Sequence, residues 1–199
     1  LMSITEKDSL YNNLEKMSFL EIINSINNED QKIAQVIQKS TKKISLLSKK
    51  VFEKINDGGR LFYIGSGTSG RLGVLDASEC PPTFGVKNNV VIGVIAGGDK
   101  AIKKATEHAE DDLHSGWKDL KSHDVNAKDI VIGISASGTT PYVLSALQKC
   151  KKNKITTGSI TCNKTNPISK ISNHDIKLIL GPEFLTGSTR MKAGTAQKM

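Results

Sequence analysis

The chain has 199 residues with 37% hydrophobic and 5% aromatic content, which suits a soluble α/β protein with one sizeable core and an appendage. No apolar run approaches the ~20 residues of a membrane span, and the N-terminus lacks a signal-peptide-like apolar stretch, so a cytoplasmic protein without a membrane partner is expected. The formal charge of +8 raises nucleic acid as a partner, but Lys39, Lys42, Lys43, Lys49, Lys50 and Lys54 are spread along helical sequence, without aromatic interleaving or a helix-turn-helix or zinc-finger pattern, which argues against it.

Residues 1–29 are polar, with short helical patterns around Leu14–Met17 and Phe19–Ile26. From Asp30 to Ile55 the apolar positions Ile33, Val36, Ile37, Ile44, Leu47, Val51 and Ile55 recur at three, four and seven, the stripe of a long amphipathic helix. Asn56-Asp-Gly-Gly59 ends it, as glycine commonly does. The pattern then predicts a strand at 61–64, a helix at about 70–78, a strand at 90–95, helical stretches over about 99–122, a strand at 130–134, a helix at 141–151, and strands at 155–161 and 175–180. Alternation of strands and helices argues for a parallel sheet with helices on both faces. Short continuous apolar strands such as Val90-Val-Ile-Gly-Val-Ile95 fit burial on both sides. Cys80, Cys150 and Cys162 have neither an even count nor metal-ligand spacing, so reduced thiols are expected.

Two strand-to-helix junctions carry the chemistry. In Leu61-Phe-Tyr-Ile-Gly-Ser-Gly-Thr-Ser-Gly-Arg71 an apolar strand runs into glycines and hydroxyls. Such a loop turns tightly and aims the amides of the next helix at an anion. The glycine pattern also fits a dinucleotide fold, which requires an acidic residue about 20 positions on to hold a ribose. That neighbourhood reads Phe84-Gly-Val-Lys-Asn-Asn89 and has no carboxylate. Ser66, Thr68 and Ser69 instead suit a compact sugar phosphate. The second junction is Ile130-Val-Ile-Gly-Ile134 followed by Ser135-Ala-Ser-Gly-Thr-Thr140 and Pro141, a residue well placed in a first helical turn. Either loop alone also reads as a helix N-cap, with the phosphate reading favoured; two together suggest one pocket built from both. His108-Ala-Glu110 imitates a zinc-deaminase His-x-Glu, but its Pro-Cys-x-x-Cys partner is missing, so no metal is expected.

With these pieces in hand, the chain from Thr5 to Met199 resembles the N-acetylmuramic acid 6-phosphate etherases, a bacterial branch of the sugar isomerase (SIS) superfamily. The resemblance rests on the 21-residue block Gly65–Gly85, on Ile95-Ala-Gly-Gly98, Ala109-Glu-Asp111 and Ser135–Thr140, and on Leu185-Thr-Gly-Ser-Thr-Arg-Met-Lys-Ala-Gly-Thr-Ala-Gln197. It implies an α/β, SIS-type three-layer sandwich with a central, mainly parallel five-stranded sheet, an N-terminal helical segment at 1–56 and the SIS domain at 57–199. It also implies a homodimer and no cofactor. Family members continue beyond the position of Met199 into a further helical region. The implied reaction is loss of the D-lactyl ether at C3 of the sugar phosphate by elimination and then hydration, which needs two carboxyl groups in opposite protonation states. The family's acid and base fall on Glu79 and Glu110. Beside Cys80 and Pro81-Pro82, Glu79 has an apolar setting expected to keep it protonated; Glu110, in Glu110-Asp111-Asp112, is expected to be solvated and ionised. Ser66, Gly67, Thr68, Ser69, Ser135, Ser137, Gly138 and Thr139 are the implied phosphate and sugar ligands. Glu183, Ser188 and Arg190 belong to a matching loop near the substrate, and Arg71 either helps with charge or pairs with Asp76 or Glu79. Two alternatives remain open: a non-catalytic sugar-phosphate sensor similar to the glucokinase regulatory proteins, and an aldose–ketose isomerase. Retention of both Glu79 and Glu110 favours the etherase.

Overall fold

The computed structural model describes residues 3–106 and 108–199. Residues 1 and 2 of the N-terminal segment, and position 107 of the expected helical stretch, lie outside the described residues. Five strands, β1 (Leu61–Gly65), β2 (Val91–Ile95), β3 (Ile130–Ser135), β4 (Thr156–Thr161) and β5 (His174–Lys177), form one sheet in the order β2-β1-β3-β4-β5. Every neighbouring pair is parallel. All six residues of the central β3 are buried, as expected of a strand covered on both faces.

Helices supply the two covers. On one side α1 (Phe19–Asn56), α2 (Gly67–Phe84) and α7 (Lys192–Lys198) place Ile33, Leu47, Ala77, Ala193 and Ala196 against Leu61, Ile130, Ile132 and Ile134. On the other, α4 (Ser115–Ser122), α5 (Pro141–Lys152) and α6 (Pro167–Ile171) bring Leu120, Tyr142, Val143, Leu147 and Ile168 against Phe62, Ile64 and Val131. The expected three-layer α/β arrangement is therefore present. Cys80, Cys150 and Cys162 are all free thiols. Among the described residues no helix is long and apolar enough to cross a membrane.

Several boundaries differ from the sequence expectation for identifiable reasons. Helix α1 starts at Phe19 rather than Asp30, because Ser18 and Glu21 form a reciprocal capping box that satisfies two orphan amides, and nothing after it breaks the helix. Helix α2 begins at Gly67 and continues past the expected end at 78 through Pro81 and Pro82. Both prolines lie in its last turns, shortly before the left-handed Gly85 stops it; they withhold only the amides that would have reached the carbonyls of residues 77 and 78. The expected helical stretch 99–122 reduces to a four-residue α3 (Lys100–Lys103) and α4. Between them runs a turn-rich loop that carries Glu110, closed by Asp112, whose Oδ1 accepts from the amides of His114 (2.7 Å) and Ser115 (3.1 Å). Those amide hydrogen bonds hold the Asp112 carboxyl below its usual range. The short α6 is not anticipated by periodicity, although Asn166-Pro167 has the form of an N-cap followed by N1 proline.

Candidate active site

Chain order and sheet order together mark a crevice. From β1 the chain crosses to β2 at one edge, whereas β3 lies on the other side of β1. In open α/β sheets ligands bind at such a reversal, outside the carboxyl ends of the strands. Gly65 at the end of β1 pairs with Ile134 near the end of β3, so the loops that follow, 66–69 and 135–140, emerge side by side.

The first loop is the start of α2. Ser66 is its N-cap in extended geometry and makes no side-chain cap hydrogen bond, while the Gly70 amide is bonded to the Ser66 carbonyl at 3.1 Å. The amides of residues 67–69 precede that first helical bond and are the orphan donors of the turn, at the positive end of an 18-residue helix. Gly67 adopts φ +52°, the left-handed region that glycine tolerates. Thr68 is half-buried and its hydroxyl bonds no described residue. Ser69 differs: it is buried, and its hydroxyl donates to Gln197 Oε1 at 2.9 Å.

The second loop is braced internally. Ser135 Oγ accepts from the Gly138 amide at 3.0 Å and lies 2.8 Å from Thr140 Oγ1. Ser137 Oγ accepts from the amide and hydroxyl of Thr139. Gly138 has φ +74°, and a Cβ there would sit 2.4 Å from Asn166 Cγ, so glycine is required on two counts. Asn163 Nδ2 donates to the carbonyls of Ala136 and Ser137; Asn166 donates to Thr161 Oγ1 and to the Asn163 carbonyl. Sequence reasoning missed these two asparagines as supports, since an asparagine in a loop carries no spacing signal of its own.

Glu110 connects the loops. Its Oε2 accepts from Ser66 Oγ at 2.8 Å, and its backbone carbonyl accepts from the Tyr142 amide at 3.0 Å, at the start of α5. The side chain is exposed, as expected. A solvated carboxylate thus stands where the N-termini of α2 and α5 converge.

Glu79 does not join it. The residue is exposed on α2, twelve positions beyond Gly67, or about 18 Å along the helix axis. The apolar enclosure expected around it is absent, because α2 runs straight on and carries Pro81-Pro82 along the axis instead of folding them over the carboxyl. Arg71 pairs with neither Asp76 nor Glu79; its Nε donates to the Ile102 carbonyl at 3.0 Å. Ser188 is half-buried and Arg190 exposed, with the Ser188 amide bonded to the Leu185 carbonyl. Glu183 is 2% exposed, and its two oxygens accept from the amides of Lys192 (2.8 Å) and Ala193 (3.0 Å), so it holds the first turn of α7. Burial pushes its carboxyl above the usual range, against the pull of those two amides. A cavity of about 430 Å³ lies between α1, α7 and the sheet, lined by Ile44, Val51, Ile132, Ile160 and Leu178. Its lining is mainly apolar, with Asp76 and Gln197 among it, and includes no residue of either loop, so it is not the crevice at the ends of β1 and β3.

A parallel sheet in this order, with two hydroxyl- and glycine-rich loops at its reversal, defines an α/β protein of the SIS class. Comparison agrees: the model of the glucokinase regulatory protein N-terminal SIS domain matches residues 27–151, and that of the SIS domain matches residues 108–199. A phosphoheptose isomerase from Neisseria gonorrhoeae superposes with a TM-score of 0.70 at 16% identity, over 91% of this chain and 93% of that one. The curated relatives are nearer. N-acetylmuramic acid 6-phosphate etherase of Christiangramia forsetii is 55% identical over 98% of this chain and 71% of its own length. That of Bacteroides thetaiotaomicron is 52% identical over 100% and 72%. The chain belongs to the N-acetylmuramic acid 6-phosphate etherase family.

Proposed function

We propose that the crevice at the ends of β1 and β3 binds N-acetylmuramic acid 6-phosphate and that Glu110 is the base of the family reaction. The chain is a carbon–oxygen lyase: it releases D-lactate from this sugar phosphate and leaves N-acetylglucosamine 6-phosphate. The relatives' shared name, at more than half identity across almost the whole chain, favours this over a silent sensor or an isomerase. The single structural observation behind the assignment of the base is the Ser66–Glu110 hydrogen bond, which ties a carboxylate to the phosphate loop.

In the proposed chemistry the opened sugar presents an aldehyde at C1, which acidifies the C2 proton. Glu110 takes that proton, the C2 electrons form the C2=C3 bond, and the C3–O bond breaks. The lactyl oxygen leaves with a proton from Glu79. Water then adds, hydroxyl to C3 and proton to C2. The amides of residues 67–69, with the hydroxyls of Ser66 and Thr68, would receive the phosphate, while Ser137 and Thr139 face the sugar. We read residues 1–56 as the helical appendage and 57–199 as the SIS domain, and we place the reaction in the cytoplasm, where a phosphorylated sugar is retained.

Because Glu79 stands about 18 Å along α2 from the loop, the proposal requires a second copy of the chain to bring it to Glu110. Support comes from the exposed apolar side chains on the same helix, Leu75 at 44% and Phe84 at 74%, and from Phe52 of α1 at 70%. A two-fold contact through such side chains would supply both acids reciprocally. Subunit mixing tests it. Lactate release should be lost in Glu79→Gln and in Glu110→Gln alone and return to about one quarter of the parent rate in an equal mixture, since about half the dimers are mixed and each holds one intact site. A mixture that stays inactive would place both carboxylates in one subunit and overturn the shared site.

A further inference from the structure

We infer that Thr5 is a positioning residue for the ligand pocket: it lies on an N-terminal strap, residues 3–11, and holds the second loop in place through Asn163. The inference rests on the reading of residues 135–140 as a ligand loop.

The strap has little structure of its own beyond a 3-10 turn at Ile4–Glu6, so distant contacts set its place on the protein. A segment of this kind loses conformational freedom when it docks, and two anchors offset that loss. At the first, Asn163 Oδ1 accepts from the amides of Ile4 (2.7 Å) and Thr5 (3.4 Å). At the second, the Ser9 amide donates to Thr186 Oγ1 at 2.9 Å, the Ser9 hydroxyl donates to the Phe184 carbonyl at 2.6 Å, and the ring centroids of Tyr11 and Phe184 are 4.9 Å apart. The strap thus runs from the loop after β4 to the segment that follows Glu183.

The proton count at Asn163 makes the first anchor more than a tether. Its side-chain amide has two hydrogens to give. Nδ2 lies 3.0 Å from Thr5 Oγ1 and 3.0 Å from the Ser137 carbonyl, with the Ala136 carbonyl further off at 3.3 Å. One hydrogen therefore serves the strap and the other serves the loop. Thr5 is 2% and Asn163 3% exposed, and Ser3 Oγ, 2.8 Å from Thr5 Oγ1, can take the Thr5 proton and leave a lone pair for Asn163. Without the Thr5 hydroxyl one buried N–H is orphaned, which is costly. The amide then shifts towards the Ala136 carbonyl and loosens its hold on Ser137. That peptide leads directly into Gly138, between the hydroxyls of Ser137 and Thr139 that face the sugar.

The test compares Thr5→Val, which removes the hydroxyl and keeps the shape, with Thr5→Ser, which keeps the hydroxyl, at a temperature where circular dichroism shows both folded. The readouts are KM and kcat for lactate release, the Kd for N-acetylglucosamine 6-phosphate by calorimetry, and deuterium uptake by the peptide that spans residues 135–140. Thr5→Val should raise KM and Kd by about five-fold, the range of one lost neutral hydrogen bond, with kcat within about two-fold. Uptake in the loop should quicken by a similar factor while β1 stays as in the parent. Thr5→Ser should match the parent in every readout. If uptake rises but KM and Kd do not move, the strap is merely structural and the inference fails. It fails equally if Thr5→Val behaves as the parent or if Thr5→Ser is as impaired as Thr5→Val. Exchange needs no ligand, so a parent chain that neither binds nor turns over the sugar phosphate, with a loop that still loosens in Thr5→Val, would overturn the reading of the site and leave the coupling of Thr5 to the loop standing.

Discussion

Replacing Lys192 by Met removes one half of a buried ion pair while keeping most of the side-chain volume. Lys192 is 2% and Glu29 3% exposed; the ammonium is bonded to Glu29 Oε2 and to the Leu180 carbonyl. After the substitution Glu29 keeps Lys32 on Oε1 at 2.6 Å and the Tyr11 hydroxyl at 3.2 Å, but Oε2 is left buried without its partner. Breaking such a pair costs about 3–5 kcal/mol, and the remaining Lys32, more than half exposed, argues for the lower end. At about 3 kcal/mol, and about 2–4 °C per kcal/mol for a chain of this size, Tm should fall by about 6–12 °C in calorimetry. The loss has a pH signature. Burial works to raise the Glu29 carboxyl, but the hydrogen bonds from Lys192 and Lys32 outweigh it and hold it below its usual value. A depressed carboxyl contributes stability above its unfolded pKa of about 4.3, and that stability is lost as pH falls through the folded value. Without Lys192 the carboxyl rises, so the Tm gap between parent and variant should be widest near neutrality and close below about pH 4. Removing both partners, as Glu29→Leu with Lys192→Met, should recover most of the loss. A drop under about 2 °C, or a gap equal at both pH values, would refute the reasoning.

Two further outcomes follow from the loops. Gly138→Ala should destabilise the protein by more than about 2 kcal/mol, from the left-handed backbone and the clash with Asn166, read as a fall in the urea midpoint; a midpoint within error of the parent would mean that Asn166 yields freely. Thr68→Val should raise KM for the sugar phosphate by about ten-fold or more with kcat little changed, since a hydrogen bond to a charged group is worth about 1.5–3 kcal/mol. An unchanged KM would remove Thr68 from the site.

Most of the architecture was legible because strand runs such as Ile130–Ile134 and the stripe from Ile33 to Ile55 are local signals of a buried strand and an amphipathic helix. Both loops were legible because glycine and hydroxyl residues directly after an apolar strand occur twice, where one such loop alone also reads as a helix N-cap. Burial and partnership were not. Ser69 and Thr68 read alike in sequence, and only the packing of α7 turns one of them inward. Glu183 is placed near the substrate by its family segment, and that it also caps a helix nine residues away has no local signal. Glu79 looked enclosed because proline and cysteine follow it, but whether neighbours in sequence become neighbours around a carboxyl depends on the helix continuing, and α2 continues. Asn163 and Asn166 act through contacts at long sequence separation, which no local pattern encodes.

The central claim is that Glu110, held by Ser66 between the two loops, removes the C2 proton. Glu110→Gln, incubated in deuterated water with N-acetylmuramic acid 6-phosphate, should lose exchange at C2 and lactate release together by about 10²–10⁴-fold, while Glu79→Gln should lose lactate release yet keep measurable exchange. Exchange at C2 near the parent rate in Glu110→Gln would contradict the account, because another group would then be the base.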